Sequence, residues 1–168
     1  MRGTEFLPVN RDEMIQRGWY YYDFLVVTAD AYIDHPSFGT TLIARALEAD
    51  GFRVAILAQP EWRDCEAFRA MGKPRYGVMI GGGNLDSMVA HYTVAKKRRT
   101  KDLYSPGGKL GYRPDRPTIV YANRARGVER LRLVKVEEDC RAFFAQYGLE
   151  TMPDGSMELY FGYEDRAL

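Results

Sequence analysis

The chain has 168 residues, enough for one ordinary domain and too few for two, with 28% charged residues and a formal net charge of +1. That balance gives no overall field for nucleic acid or an acidic partner, so any basic patch has to be local. Its two cysteines, Cys65 and Cys140, are too few and too far apart for a disulfide scaffold or a paired zinc site, and no apolar leader or membrane-length run is present, so the expectation is a cytoplasmic protein.

The first element is FLVVTA, Phe24 to Ala29, a short apolar run with β-branched residues that predicts a parallel strand covered on both faces. The loop after it places Asp30, Asp34 and His35 ahead of a helix. Ser37 can accept from the free N–H groups of that turn, and Phe38, Leu42, Ile43, Ala46 and Leu47 share one helical stripe that Gly51 ends. FRVAILAQP reads as a second buried strand closed by Pro60, which makes the helix a crossover. WRDCEAFRAMGKP predicts a short helix with Asp64 as its cap. RYGVMIGGGN predicts a third strand running into glycines, and LDSMVAHYTVAKK a helix striped by Leu85, Met88, Val89 and Tyr92. Strand and helix alternating three times predict an α/β fold with a mostly parallel sheet and right-handed crossovers.

Further on, LRLVKV predicts a fourth strand, EEDCRAFFAQYG a helix striped by Cys140, Phe143, Phe144 and Tyr147, and SMELYFGY an edge strand after a PDGS turn. From Val128 onward nine Asp/Glu face five Lys/Arg, whereas the preceding part has 14 against 19. That shift marks a seam near Gly127. Residues 1–127 are read as the α/β domain, and 128–168 as an acidic segment that completes it.

Ligands of open parallel sheets settle beyond the carboxyl ends of the strands. Three loops converge there and bring Asp30, Asp34, His35, Gln59, Trp62, Gly81, Gly82, Gly83 and Asn84 toward one crevice. The glycines can offer backbone N–H groups to a phosphate at a helix N-terminus, or simply permit a tight reversal; G-x-G-x-x-G and G-K-[ST] are both absent. One histidine with two loop carboxylates is a poor metal set, and His91 has no carboxylate at ligand spacing. Asp34 suits an Asx turn ahead of Pro36 equally well, and no nucleophile sits in a G-x-S-x-G elbow. DHPSFG is therefore expected to shape a turn and open a helix.

Three separated segments, GWYYYDFLVVTADAYIDHPSFGTTLIARALEADGFRVAILAQPEW, GKPRYGVMIGGGNLDSMVAHYT and YRPDRPTIVYANRAR, together resemble the N-terminal region of YgiQ-type radical SAM proteins over about residues 5–126. The resemblance implies a three-layer Rossmann-like domain, flavodoxin- or cobalamin-binding-like, with a sheet of 4–5 strands, standing ahead of a radical SAM barrel. It also implies a [4Fe–4S] cluster and S-adenosylmethionine on that barrel, held through three cysteine thiolates. This chain has two cysteines and no such triplet, so neither cofactor is expected in it, and it is not a complete radical SAM enzyme by itself. The implied role is an accessory domain that docks on or covers a catalytic barrel, whether domain or separate protein. A corrinoid in the crevice formed by Asp30, His35, Gln59 and Gly81 to Asn84 is one alternative. Its D-x-H-x-x-G signature is not met, because Asp34 adjoins His35.

The segment Lys96 to Arg116 holds eight Lys/Arg and two Asp, with Tyr104 and Tyr112 interleaved. Such an arm can follow a phosphate backbone while its tyrosines stack on bases, lie as a solvated face, or pack against a barrel. Lys96, Lys97, Arg98, Arg99, Arg113 and Arg116 are the candidate contacts for docking or for RNA. An RNA- or nucleotide-binding module that uses this arm and the Gly81 to Asn84 turn is the other alternative function. The RPDRP string inside the resemblance favours docking.

Overall fold

Three apolar runs form a parallel sheet: β1 (Phe24–Thr28), β2 (Val54–Ala58) and β3 (Gly77–Gly81), in the order β2-β1-β3. β1 pairs with both neighbours, Val26 lying opposite Ile56 on one side and Met79 on the other. The structure is a computed structural model that describes residues 6–126, 131–133, 150–151 and 157–159. It divides into two units, Met1–Ala125 and Arg126–Leu168.

In the first unit, Leu7, Val26, Ala44, Val54 and Ile56 make one core cluster, each at most 3% exposed. Burial of a side chain of this size contributes about 1.5–3 kcal/mol relative to leaving it in water. β1 and β2 are each buried at four of their five positions, with Phe24 and Ala58 half-buried at opposite ends. β3 differs, with Val78 and Met79 each 39% exposed. Among the described residues, no helix is long and apolar enough to cross a membrane.

Among the described residues, five α-helices accompany the sheet. α1 (Arg11–Gln16) opens on a reciprocal cap: Asn10 Oδ1 accepts from the Glu13 N–H at 2.8 Å, and Glu13 Oε2 accepts from the Val9 N–H at 2.9 Å. α2 (Gly39–Ala49) links β1 to β2, α3 (Glu66–Met71) links β2 to β3, and α4 (Ser87–His91) follows β3. α5 (Pro117–Arg126) begins with a proline at its first position, where the missing N–H is harmless. α1 and α5 were not among the elements expected from the sequence.

The three expected strands and the helices between them are present. The expected sheet of 4–5 strands is corrected: among the described residues the parallel sheet has three. The stripe expected on α2 is also corrected: Leu42 and Ile43 are 53% and 50% exposed, and the buried positions are Thr41 and Ala44. Small residues let the helix backbone approach the sheet closely, and the Thr41 hydroxyl ties back to the Ile33 carbonyl at 2.9 Å. On α4 the same happens. Met88 and Val89 face out, while Ser87, Ala90 and His91 face in. Ser37 is not the cap of α2; Phe38 holds that position and has no capping side-chain bond. Asp64 does accept from the Glu66 N–H at 2.9 Å, one residue before the N-cap position of α3.

In the second unit, β4 (Leu131–Leu133), β5 (Glu150–Thr151) and β6 (Met157–Leu159) pair antiparallel in the order β4-β6-β5. The strand expected at an edge, β6, is thus central to its sheet. The helix expected over EEDCRAFFAQYG lies outside the described residues.

Candidate functional site

The strand ends converge as the parallel alternation requires, but the crevice they frame is filled from within the chain. Asp30, two residues beyond β1, is 2% exposed, and Arg113 reaches it from the arm at 1% exposure. The guanidinium grips the fully buried Asp102 with two bonds, Nη2 to Oδ1 at 2.6 Å and Nε to Oδ2 at 2.7 Å. Its Nη1 donates to Asp30 Oδ1 and to the Leu85 carbonyl, each at 3.2 Å. A planar fork meeting a carboxylate in this way is the strongest geometry available to a buried ion pair. Around it, the Ser105 hydroxyl donates to Asp102 at 3.0 Å, and the Asn84 N–H donates to Asp30 at 2.6 Å. Gln59 Nε2 bridges the Ala29 carbonyl at 2.9 Å and Ser105 Oγ at 2.7 Å.

The two carboxylates respond in opposite directions. Burial raises the Asp30 carboxyl above its ordinary value, against the Asn84 N–H and the Arg113 charge. At Asp102 burial also pushes upward, but the Arg113 guanidinium, the Tyr104 N–H and the Ser105 hydroxyl outweigh it and hold the carboxyl low.

A second polar cluster adjoins the first. His91, 1% exposed, sets Nδ1 at 2.6 Å from Asp115 Oδ1, while the Tyr92 hydroxyl donates to Asp115 Oδ2 at 2.7 Å. His91 Nε2 faces Asp102 Oδ2 at 3.7 Å and makes no hydrogen bond. His91 does therefore have carboxylates beside it, in contrast to the expectation from spacing. They come from the two aspartates of the arm, which anchor it at both ends. Sequence spacing on a helix could not reveal partners 11 and 24 residues away across a loop.

Of the residues expected at the crevice, Asp30, Gln59 and Asn84 come together through these bonds. Gly83, at φ +91°, passes so close that a Cβ there would overlap the Asp30 carboxylate. Gly81 and Gly82 lie against Thr40 and Thr118. Trp62 donates from Nε1 to the Gly111 carbonyl at 3.3 Å, so it too holds the arm. Asp34 pairs with Arg45 on α2, and His35 is exposed, with Nδ1 accepting from the Ser37 N–H at 3.1 Å. DHPSFG shapes the turn that starts α2, as expected.

The arm itself is ordered by a bridge between Tyr92 and Arg98 and by a 3-10 turn at Pro106–Gly108. Lys96, Lys97, Arg98, Arg99 and Arg116 are exposed. Arg113 is the correction: it is buried in the crevice and presents nothing at the surface. Between α4 and the arm lies an open groove of about 620 Å³, with Leu85, Val89, Leu103 and Tyr104 on its walls and Arg98, Arg99 and Lys101 beside them. Leu103 is 86% exposed and the nearby Val94 wholly so.

Among the described residues, no group of three His, Cys, Asp or Glu is placed to hold a metal ion. Two cysteines cannot supply the three thiolates of a radical SAM cluster, so this chain's donor set does not fit that cofactor.

Comparison with known proteins gives a consistent picture. The sequence profile of the family described as Radical SAM N-terminal matches residues 6–135. A UPF0313 protein of Clostridium perfringens strain SM101 is 56% identical over 126 residues, covering 75% of this chain and 19% of that protein. A UPF0313 protein of Clostridium botulinum strain Loch Maree is 55% identical over 124 residues, covering 74% of this chain and again 19% of the relative. The chain thus spans about a fifth of the length of these curated relatives. No solved structure matches.

Proposed function

The chain belongs to the Radical SAM N-terminal family, and on that premise we propose that its first unit is a cytoplasmic accessory domain that docks on, or covers, a radical SAM catalytic barrel. The groove beside α4 carries this reading. Val89 on α4 and Val94 and Leu103 on the loop after it stand 53%, 104% and 86% exposed, and Asp102, Arg113 and Asp115 pin that loop from inside. Exposed aliphatic side chains on an ordered scaffold support a partner-facing surface. Cluster and cosubstrate chemistry belongs, in this reading, to that partner.

The test is calorimetric titration of the chain into a radical SAM polypeptide of the family deleted for its own N-terminal region. The expected result is binding in the micromolar range, weakened about tenfold or more by Leu103→Asp, since a buried apolar anchor contributes at least that much. Absence of binding by the parent chain overturns the proposal.

The exposed run Lys96 to Arg99 favours one second reading, a single-stranded RNA contact. That reading requires affinity that falls steeply with salt and disappears when those four charges are neutralised. The corrinoid reading has less support, because Arg113 fills the crevice it needs.

A further inference from the structure

Among the described residues, β3 is the outer strand of the first unit's parallel sheet, with β1 on its inner side. Parallel strands are ordinarily covered on both faces, and exposed sheet edges are ordinarily blunted by a charge, a proline or a bulge. β3 has neither protection. Its five residues, GVMIG, include no charge and no proline, and the consecutive Val78 and Met79, which point to opposite faces, are each 39% exposed. Among the described residues, each face of the strand therefore keeps an exposed apolar side chain at this edge.

The sequence of the strand indicates what covers it. Around Met79 it is a palindrome in side-chain size: β-branched Val78 and Ile80 flank the methionine, and Gly77 and Gly81 flank those. Antiparallel pairing of two such strands about Met79 would set Val78 opposite Ile80 and glycine opposite glycine. The match ends there on the C-terminal side, because Thr118 of α5 already lies against Gly82. No charged residue occurs between Arg75 and Asp86, so the pairing brings no like charges together across the strands. A patch that matches itself in this way is what an isologous two-fold contact requires.

We propose that β3 pairs antiparallel with β3 of a second copy of this chain across a two-fold axis at Met79, joining two three-stranded sheets into one. Val78 and Ile80 of both copies then share one face, and the two Met79 side chains meet on the other.

Light scattering coupled to size exclusion at ~100 µM, a concentration that populates even a micromolar dimer, should give twice the 19.3 kDa chain mass. Met79→Glu places two carboxylates opposite each other and should weaken the dimer about tenfold or more. Far-UV circular dichroism and melting of that variant must match the parent for its result to count. Should it unfold, Met79→Cys in a Cys65→Ser, Cys140→Ser background decides: the cysteine on the axis should cross-link under mild oxidation, while Ile43→Cys on α2 should not. A monomer at that concentration, a dimer that a folded Met79→Glu variant leaves intact, or a Met79→Cys protein that does not cross-link overturns the proposal.

Discussion

Removing the Arg113 guanidinium would leave Asp30 and Asp102 buried with no cation between them, and that sets the cost of the change. Arg113→Met and Asp102→Asn should each destabilise the first unit by about 3–5 kcal/mol, the usual result of breaking a buried pair on one side. Asp30→Asn should cost far less, about 1 kcal/mol, because an amide still accepts from Asn84 and the strongest Arg113 bonds run to Asp102. Chemical denaturation of the three variants checks the ranking; equal losses would contradict it. Acid offers an independent check. Asp102 and Asp115 are held below the ordinary carboxylate range, so the stability they contribute is present above their unfolded values near 4 and is lost as pH falls through the lower folded values. Asp30 has the opposite sign: its raised value means that ionising it costs stability as pH rises. Amide exchange at Tyr104 and Ser105 should therefore accelerate below about pH 4, and less so in Asp102→Asn. None of this was legible among eight basic residues of one arm, since a buried arginine and a solvated one look alike in a sequence.

At the scale of elements, the sequence revealed direction better than facing. The apolar runs FLVVTA and RVAILA predict β1 and β2 because a buried parallel strand has to be apolar along its length, and GVMIG predicts β3 by the same sign although that strand is left partly exposed. The helix stripes misled because size was read as burial. α2 meets the sheet through Thr41 and Ala44, and its bulkier Leu42 and Ile43 look outward. α1 carried a readable sign, the Asn10 and Glu13 pair of a reciprocal cap, and α5 another in Pro117. The glycine turn after β3 lets the backbone pass close to the Asp30 carboxylate. At φ +91° and against the Asp30 carboxylate, Gly83 should not tolerate a methyl group, and Gly83→Ala is expected to cost about 1–3 kcal/mol by thermal melting. A neutral result would mean that the turn relaxes away from Asp30.

Across the whole chain, 19 Lys/Arg fall in the first 127 residues and five in the rest, and the two units part between Ala125 and Arg126. Charge is a property of segments, whereas the long-range partners inside a unit are not. Asp30 and Arg113 stand 83 residues apart, so their contact closes a long loop whose entropy cost disfavours early formation. Assembly of the first unit should accordingly proceed in order, with sheet and crossover helices early and insertion of the guanidinium last. Trp62 is well placed to time that final event, because its indole nitrogen donates to the Gly111 carbonyl of the arm. In a Trp19→Phe background its emission should change in a late refolding phase that Arg113→Met abolishes, making the plug at the strand ends the clock of the molecule's own maturation.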